Sequence, residues 1–270
     1  MGSKITLART GNDAGSHSSR RPQLAALDVS NGTIFVSEVT GTAMLLLLGC
    51  GVVATAILKG SKGEGGGWLL INFGWGLAVF CGVYVAFRSG AHLNPAVTVA
   101  QWIVGNITFS QSLVFYAGEL VGAFIGAVLA WLAFKEHFDT EEDAGKKLAV
   151  FSTGPAIRNY GWNTLTEIIG TFVLIFVILM FGGSPSGLGP LAVALLIVSI
   201  GASLGGPTGY AINPARDIMP RIAHAILPIK GKGGSDWSYA WVPVVGPMIG
   251  GALGAWAFLA LGGFDMFPVA

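Results

Sequence analysis

Charged residues are scarce in this chain, and Asp, Glu, Lys and Arg together make up 11% of its 270 residues. Hydrophobic residues make up 53% and the mean hydropathy is +0.67, a balance that no ordinary soluble domain needs. The net charge is only +1, so nothing in the composition indicates a nucleic acid or an acidic partner. These shortages indicate a membrane protein.

Cysteine is also rare. Cys50 and Cys81 both fall in apolar segments, where we interpret them as small packing residues and not as a disulfide. The sequence shows no phosphate-binding loop, no arrangement of nucleophile, histidine and acid, and no His/Cys/Asp cluster with metal-ligand spacing. We therefore expect neither an enzyme nor a cofactor or metal.

Long apolar segments are the main feature that is present. A spanning helix needs about 20 mostly apolar residues, and six segments qualify: 34–59, 68–87, 111–134, 162–182, 190–206 and 237–261. Residues 1–31 are polar and lack the apolar run of a signal peptide, so we expect a disordered tail. Arginines at positions 9, 20 and 21 favour a cytoplasmic N-terminus, and an even number of spans returns the C-terminus to the same side.

The chain repeats itself on either side of a polar loop at residues 135–161. The halves, about 34–134 and 162–262, carry Glu38 and Glu167 in matching Glu-x-x-Gly-Thr motifs and one Asn-Pro-Ala motif each. Three spans per half is an odd number, so the second half enters the membrane from the opposite side. Such inverted repeats place a functional site at the midplane. The predicted fold is an all-α membrane protein of six transmembrane helices and two re-entrant half-helices, forming one channel domain over residues 32–264.

Each Asn-Pro-Ala motif predicts a helix start, since asparagine is a good N-cap and proline is favoured at the first helical position. The motifs are Asn94, Pro95 and Ala96, then Asn213, Pro214 and Ala215. The apolar stretches after them, 96–104 and 215–227, are too short to span a bilayer. The Gly-rich segments before them should be extended, which is tolerated at membrane depth only beside protein or a wet cavity. Their carbonyls would form a polar ladder from Gly90, Ala91, His92, Gly209, Tyr210 and Ala211.

Arg216, directly after the second motif, would stand at membrane depth, where charge is costly. Two half-helices that meet by their N-termini each place about half a positive charge at the centre. Arg216 adds a full positive charge, because its guanidinium group is not deprotonated in proteins. This arrangement would repel cations and protons, while Asn94 and Asn213 donate hydrogen bonds to a neutral polar solute. The alternative is that Arg216 merely pairs with Asp217.

These residues together resemble the major intrinsic protein family, and within it the aquaglyceroporins similar to bacterial glycerol facilitators. The resemblance covers about residues 34–261 and includes Ser-Gly-Ala-His at 89–92. Asp217, Arg221 and the Pro-Val pair at 243–244 favour the glycerol subclass over water-selective relatives. The resemblance implies a homotetramer in the cell membrane, with a pore for glycerol and water in each subunit.

The resemblance also implies a narrowest ring made of Trp75, Gly201, Tyr210 and Arg216. Water-selective members usually carry His where Gly201 stands, so glycine widens the ring. Tyr210 stands where the best-known bacterial glycerol facilitators have Phe. Trp75 lies one residue closer to the first Asn-Pro-Ala motif than family spacing leads us to expect. The shortage falls around residues 86–88, and we expect the connection there to absorb it without rotating Trp75 away.

Four charged residues are interpreted as structural braces: Glu38, Glu167, Asp217 and Arg221. The two glutamates would accept hydrogen bonds from the re-entrant loops, although intramembrane carboxylates also occur in proton relays. Asp217 and Arg221 stand at i, i+4 on a helix and would shape a loop. Beside a polyol facilitator, the sequence leaves open a mainly water-conducting pore, a metalloid or urea channel, a proton-coupled secondary transporter and a purely structural membrane protein.

Overall fold

The computed structural model describes residues 29–183 and 187–267. Throughout that part of the chain the regular elements are helices, which confirms the predicted fold class. In chain order they are α1 Asn31–Ile57, α2 Gly67–Val85, α3 Pro95–Ile103, α4 Phe109–Ala133, α5 Lys135–Thr140, α6 Ala144–Phe151, α7 Tyr160–Met180, α8 Pro190–Leu204, α9 Pro214–Ile226 and α10 Val242–Ala260. The tail predicted to be disordered lies almost wholly outside the described residues.

Five of these helices are long and apolar enough to cross a membrane: α1, α2, α4, α7 and α10. The remaining predicted span, 190–206, forms α8, which is apolar but has only 15 residues, or roughly 22 Å at 1.5 Å per residue. It starts at Pro190, after Gly189 with φ 51°, and stops before a Gly-Gly-Pro sequence that cannot easily continue a helix. The last span begins at Val242 and not at 237, because the preceding residues form successive turns.

The segment predicted as one polar loop, residues 135–161, contains the short helices α5 and α6. Asp143 caps α6, since its Oδ1 accepts hydrogen bonds from the backbone N–H groups of Gly145 (2.7 Å) and Lys146 (3.3 Å). Phe138 and Phe151 from these helices are buried and pack against each other. The segment therefore covers one end of the helix bundle as ordered structure.

Glycines let the long helices of each half approach closely. A Cβ on Gly122 of α4 would lie 2.4 Å from the Val39 carbonyl oxygen of α1, and a Cβ on Gly250 of α10 would lie 2.4 Å from the Ile168 carbonyl oxygen of α7. Each contact belongs to a row of three glycines at four-residue spacing: Gly118, Gly122 and Gly126, then Gly246, Gly250 and Gly254. Small residues at this spacing are typical of helix packing in membranes. The two halves thus share one packing geometry.

The two halves interlock through the half-helices. Helix α3 of the first half packs on α10 of the second, and α9 of the second half packs on α4 of the first, while α2 contacts α8. Gly251 on α10 permits the α3 contact, because a Cβ there would lie 2.8 Å from the Ala96 carbonyl oxygen. The starts of α3 and α9 therefore meet inside the bundle.

The outer surface is apolar. Exposed stripes run along α2 (Leu69, Phe73, Leu77), α4 (Val121, Ile125, Leu129) and α10 (Val245, Ile249, Leu253). Contiguous apolar surface of this extent is unusual on a soluble monomer and suits lipid tails or a neighbouring subunit. The polar groups described next lie inside the bundle.

Candidate functional site

Both half-helices begin at their asparagine caps. Asn94 Oδ1 accepts a hydrogen bond from the Ala96 backbone N–H at 2.9 Å, and Asn213 Oδ1 accepts one from the Arg216 backbone N–H at 3.1 Å. Proline follows each cap at the first helical position. The two starts therefore form as the Asn-Pro pairs predict.

The caps are also bound to each other's loops. Asn94 Nδ2 donates to the Ile212 carbonyl oxygen and Asn213 Nδ2 donates to the Leu93 carbonyl oxygen, each at 2.8 Å. These reciprocal bonds hold the two half-helix starts together. Each amide group keeps a second hydrogen, and both asparagines line a cavity of about 420 Å³ inside the bundle. Two partly positive helix ends and two amide donors thus meet at one cavity.

The loop before α3 has an unusual backbone. Gly90, Ala91 and Leu93 have φ values of 89°, 55° and 56°, a region that costs a residue with a side chain about 1–2 kcal/mol. The carboxylate of Glu38 offsets this conformational cost by binding the loop. It accepts hydrogen bonds from the backbone N–H groups of His92 (3.0 Å) and Leu93 (2.7 Å) and from Ser89 Oγ (2.6 Å). Successive N–H groups in such a conformation form a concave anion site, which Glu38 fills.

The loop before α9 repeats this arrangement. Gly209, Tyr210 and Ile212 have φ values of 81°, 38° and 43°. Glu167 accepts hydrogen bonds from the N–H groups of Ala211 (3.0 Å) and Ile212 (2.8 Å) and from Thr208 Oγ1 (2.7 Å). The two glutamates occupy the same position relative to their loops and hold the strained backbone in place.

With the N–H groups turned toward the glutamates, the loop carbonyls are left for the cavity. All six residues of the predicted ladder line it: Gly90, Ala91, His92, Gly209, Tyr210 and Ala211. Within residues 29–183 and 187–267, no hydrogen bond to the carbonyl oxygens of these six residues is formed. This row of free acceptors is therefore suited to bind polar groups that enter the cavity.

His92 is held by side-chain contacts. Its Nδ1 lies 2.8 Å from Thr98 Oγ1, and that hydroxyl donates to Glu119 Oε1 at 2.6 Å. The imidazole also stacks on Phe115, with ring centroids 3.8 Å apart. The histidine therefore fixes the first loop against α3 and α4.

Arg216 and Trp75 form one wall at the α9 end of the cavity. The guanidinium carbon lies 4.2 Å from the centre of the Trp75 ring, a cation–π contact, and Nη1 donates to the Phe151 carbonyl oxygen at 3.2 Å. Helix α2 ends at Val85, and residues 87–89 form a single 3₁₀ turn before the loop. Trp75 lines the cavity, and this short connection remains our predicted position for the one-residue shortage.

Gly201 stands behind Tyr210 and is not among the residues that line the cavity. A Cβ on Gly201 would lie 2.6 Å from Tyr210 Cζ and 2.5 Å from Asn72 Oδ1. The absent side chain therefore makes room for the tyrosine ring. Trp68 also contacts this ring, since it packs edge-on against Tyr210 at 5.7 Å and donates from Nε1 to the Gly201 carbonyl at 3.0 Å.

Asp217 and Arg221 are fully buried and paired, with Arg221 Nη2 and Asp217 Oδ1 2.7 Å apart. Asp217 Oδ2 accepts from the N–H and hydroxyl of Thr153, and Arg221 Nη2 donates to the Thr153 carbonyl. Phe151, whose carbonyl binds Arg216, lies two residues before Thr153. The pair thus fixes the segment that holds Arg216.

A second ion pair lies outside the spanning helices at the same end. Arg158 Nη2 and Asp236 Oδ2 are 2.6 Å apart. This hydrogen bond from Arg158 lowers the pKa of Asp236 below its ordinary value. Arg158 also lies over the Tyr239 ring at 5.3 Å. The connection before α10 is thereby tied to the segment before α7.

The rest of the cavity wall is mostly apolar and was not predicted from the sequence. It includes Leu45, Val79, Val97, Leu174, Val193 and Ile197. These residues belong to ordinary apolar helices, and only the packing shows which of them face inward. Trp68, near the start of α2, contacts Gly201 and Tyr210 and was not predicted as part of the site.

Comparison with known proteins gives consistent matches. The family model described as Major intrinsic protein matches residues 26–258. The chain is 54% identical over 226 residues to a Thermotoga maritima protein named probable glycerol uptake facilitator protein, covering 83% of this chain and 97% of the relative. It is 51% identical over 229 residues to glycerol uptake facilitator protein 3 of Lactiplantibacillus plantarum, covering 84% and 95%. The solved aquaglyceroporin from Plasmodium falciparum aligns with a TM-score of 0.75 and 30% identity, covering 85% of this chain and 96% of that one.

Proposed function

The chain belongs to the major intrinsic protein family, and we propose that it is a passive channel for glycerol and similar small neutral polyols. Two relatives named as glycerol uptake facilitators support the substrate, since this chain covers 95% or more of their length. The proposed channel forms one domain over residues 32–264. Transport by this route changes no covalent bond, so we assign no enzymatic activity.

The amphipathic end of the cavity carries the proposal. Trp75 and Tyr210 present aromatic rings, while Arg216 presents N–H donors and the two loops present acceptors. A polyol has a carbon backbone on one side and hydroxyls that both donate and accept. Its carbons would slide along the rings as its hydroxyls bind Arg216 and the carbonyls in turn. Gly201 contributes because it has no side chain, which leaves space for the Tyr210 ring outside the path of the solute.

Charge selectivity follows from the same groups. Arg216 and the two helix N-termini would repel cations and protons, an electrostatic barrier of the kind known for aquaporin-type channels. Asn94 and Asn213 each keep an amide hydrogen for a passing hydroxyl. Water is small enough to use the same donors and acceptors, so the proposal includes water conduction.

The two main alternative functions, a water-selective pore and a proton-coupled transporter, explain fewer of the contacts around Arg216 and the two loops. A water-selective pore has no need for two aromatic rings beside Arg216. A proton-coupled transporter would need carboxylates that exchange protons along the path. Glu38 and Glu167 instead accept three hydrogen bonds each from the loops, which favours a bracing role.

The protein is an integral membrane protein with apolar outer helices. We place it in the cell membrane with both termini in the cytoplasm, following the arginines before the first span. The exposed stripes on the outer helices leave apolar surface for neighbouring subunits, and we propose a homotetramer in which every subunit has its own pore.

Stopped-flow light scattering on proteoliposomes tests the proposal. An external glycerol gradient first shrinks the vesicles, and re-swelling then reports glycerol entry; a sucrose gradient reports water alone. We expect re-swelling much faster than in protein-free vesicles. Fast shrinkage in both gradients with re-swelling at the protein-free rate would contradict the polyol assignment and leave a water channel.

A further inference from the structure

The end of α3 is a Schellman motif, the usual way for a helix to stop at a glycine. The Asn106 N–H donates to the Gln101 carbonyl at 2.9 Å, and the Gly105 N–H donates to the Trp102 carbonyl at 3.1 Å. Gly105 has the left-handed φ of 85° that the motif requires. In this motif the side chains at the positions of Gln101 and Asn106 frequently make a hydrophobic contact. Here both are carboxamides.

These two side chains are hydrogen-bonded and line the cavity. Asn106 Nδ2 lies 2.6 Å from Gln101 Oε1, and both residues belong to the cavity wall. Their bond uses one amide nitrogen and one amide oxygen. Among the described residues neither carboxamide has another side-chain hydrogen bond. If both amides were turned over, the pair would still keep one nitrogen donor and one oxygen acceptor side by side.

The pair lies at the opposite end of the cavity from Arg216. Gln101 is seven residues beyond Asn94 on a helix, or about 10 Å at 1.5 Å per residue. Ile107, next to the pair, packs with Ile34 at the start of α1. The Arg216 end of the cavity lies near the other end of α1. There Glu141, on the segment that precedes Phe151, accepts a hydrogen bond from the Lys59 N–H, just beyond the end of α1. The apolar stretch between the two ends includes Val97, Val193 and Ile178.

We propose that the Gln101–Asn106 pair is a second polyol-binding subsite, at the mouth of the cavity remote from Arg216. The inference rests on the proposed function. A hydroxyl group donates one hydrogen bond and accepts others, so it matches an adjacent nitrogen donor and oxygen acceptor. Between the loop carbonyls and this mouth the described wall residues are apolar, so the carboxamide pair is the next side-chain donor and acceptor that a polyol meets. Favourable but weak binding at successive sites is what conduction requires.

The test replaces both carboxamides with leucine, Gln101→Leu with Asn106→Leu, in the full-length protein. A hydrophobic contact is usual at these positions, and Asn106 has no left-handed φ, so the helix end should still form. The exchanged pair, Gln101→Asn with Asn106→Gln, keeps both functional groups. Asn31→Leu, at an exposed asparagine outside the cavity, is the matched control.

Glycerol and water permeabilities are measured for each variant in proteoliposomes, normalised to reconstituted protein. We expect the leucine pair to lower glycerol permeability about three- to tenfold, as the loss of one or two hydrogen bonds implies, with water permeability reduced less than twofold. The exchanged pair should retain at least half of the wild-type glycerol permeability, and Asn31→Leu should match wild type.

Three results would overturn the inference while leaving the channel function intact. The first is wild-type glycerol permeability in the leucine pair. The second is an equal loss of glycerol and water permeability in that variant, which would indicate a structural role for the carboxamides. The third is a glycerol permeability of the exchanged pair as low as that of the leucine pair. If the wild-type protein itself passed no glycerol, the proposed function would fail first, and the subsite would fail with it.

Discussion

Substituting Gly201 with alanine should narrow the path of the solute indirectly, because the new methyl group would displace the Tyr210 ring. A Cβ at this position would lie 2.6 Å from Tyr210 Cζ and 2.5 Å from Asn72 Oδ1. Non-bonded carbons need about 3.5–4.0 Å, so the ring has to move by about 1 Å. Trp68 also packs against the ring and limits its freedom to move. Because Tyr210 lines the cavity, we expect the ring to shift into the path of the solute.

The size of the effect follows from the cost of overpacking. Forcing extra atoms into a packed site costs about 1–3 kcal/mol. If glycerol meets that cost as it passes the displaced ring, its permeability falls about 5- to 150-fold, since each 1.4 kcal/mol is a factor of ten. Water has a smaller cross-section and should lose less than about threefold by the same reasoning. Gly201→His should change both permeabilities in the same direction and by more.

The assay compares glycerol re-swelling and osmotic shrinkage in proteoliposomes that contain equal amounts of each variant. Gly206→Ala is the matched control, because a Cβ at Gly206 would meet nothing within 4 Å. A Gly201→Ala protein with the wild-type ratio of glycerol to water permeability would contradict this prediction. It would mean that Tyr210 yields in another direction or that its position does not limit glycerol.

Three further predictions concern the groups that hold the site. Glu167→Gln should destabilise the protein by about 1–3 kcal/mol, because one oxygen that accepts loop hydrogen bonds becomes an NH₂ group; an unchanged unfolding midpoint in detergent would contradict this. Arg216→Ala should raise proton leak in vesicles loaded with a pH-sensitive dye, and an unaltered leak would remove Arg216 from the barrier. The lowered pKa of Asp236 means that its stabilising effect is complete above the ordinary carboxyl range and disappears as pH falls through the folded-state pKa. As pH falls through and below the ordinary carboxyl range, wild type should therefore lose thermal stability more steeply than Asp236→Asn, whereas parallel curves would show that the pair with Arg158 contributes nothing.

The sequence predicted the fold well because its strongest signals are local. Asn-Pro is a helix start for reasons that lie within a few residues, and both α3 and α9 begin at the expected positions. Uninterrupted apolar runs predict spanning helices in the same way, apart from α8, which its flanking Gly and Pro residues shorten. The internal repeat added long-range information, since matching motifs must occupy matching places.

The details of the site depend on packing, which the sequence does not state. Nothing near Trp68 in the chain indicates that its indole would bind the Gly201 carbonyl. Gly201 was expected as a wall of the ring, yet its contribution runs through Tyr210, because the two meet only in the folded bundle. The Gln101–Asn106 pair was equally hidden, although a glycine one residue before Asn106 does signal the helix end.

Whether glycerol crosses the membrane passively is decided by the concentration that glycerol reaches inside the vesicles. Proteoliposomes are incubated with labelled glycerol while a pH gradient is imposed across the membrane, and the internal concentration is followed to its plateau. We expect the vesicles to fill rapidly to the external glycerol concentration and no further, with or without the pH gradient. A plateau above the external concentration that collapses when a protonophore is added would contradict it and would make the protein a proton-coupled transporter.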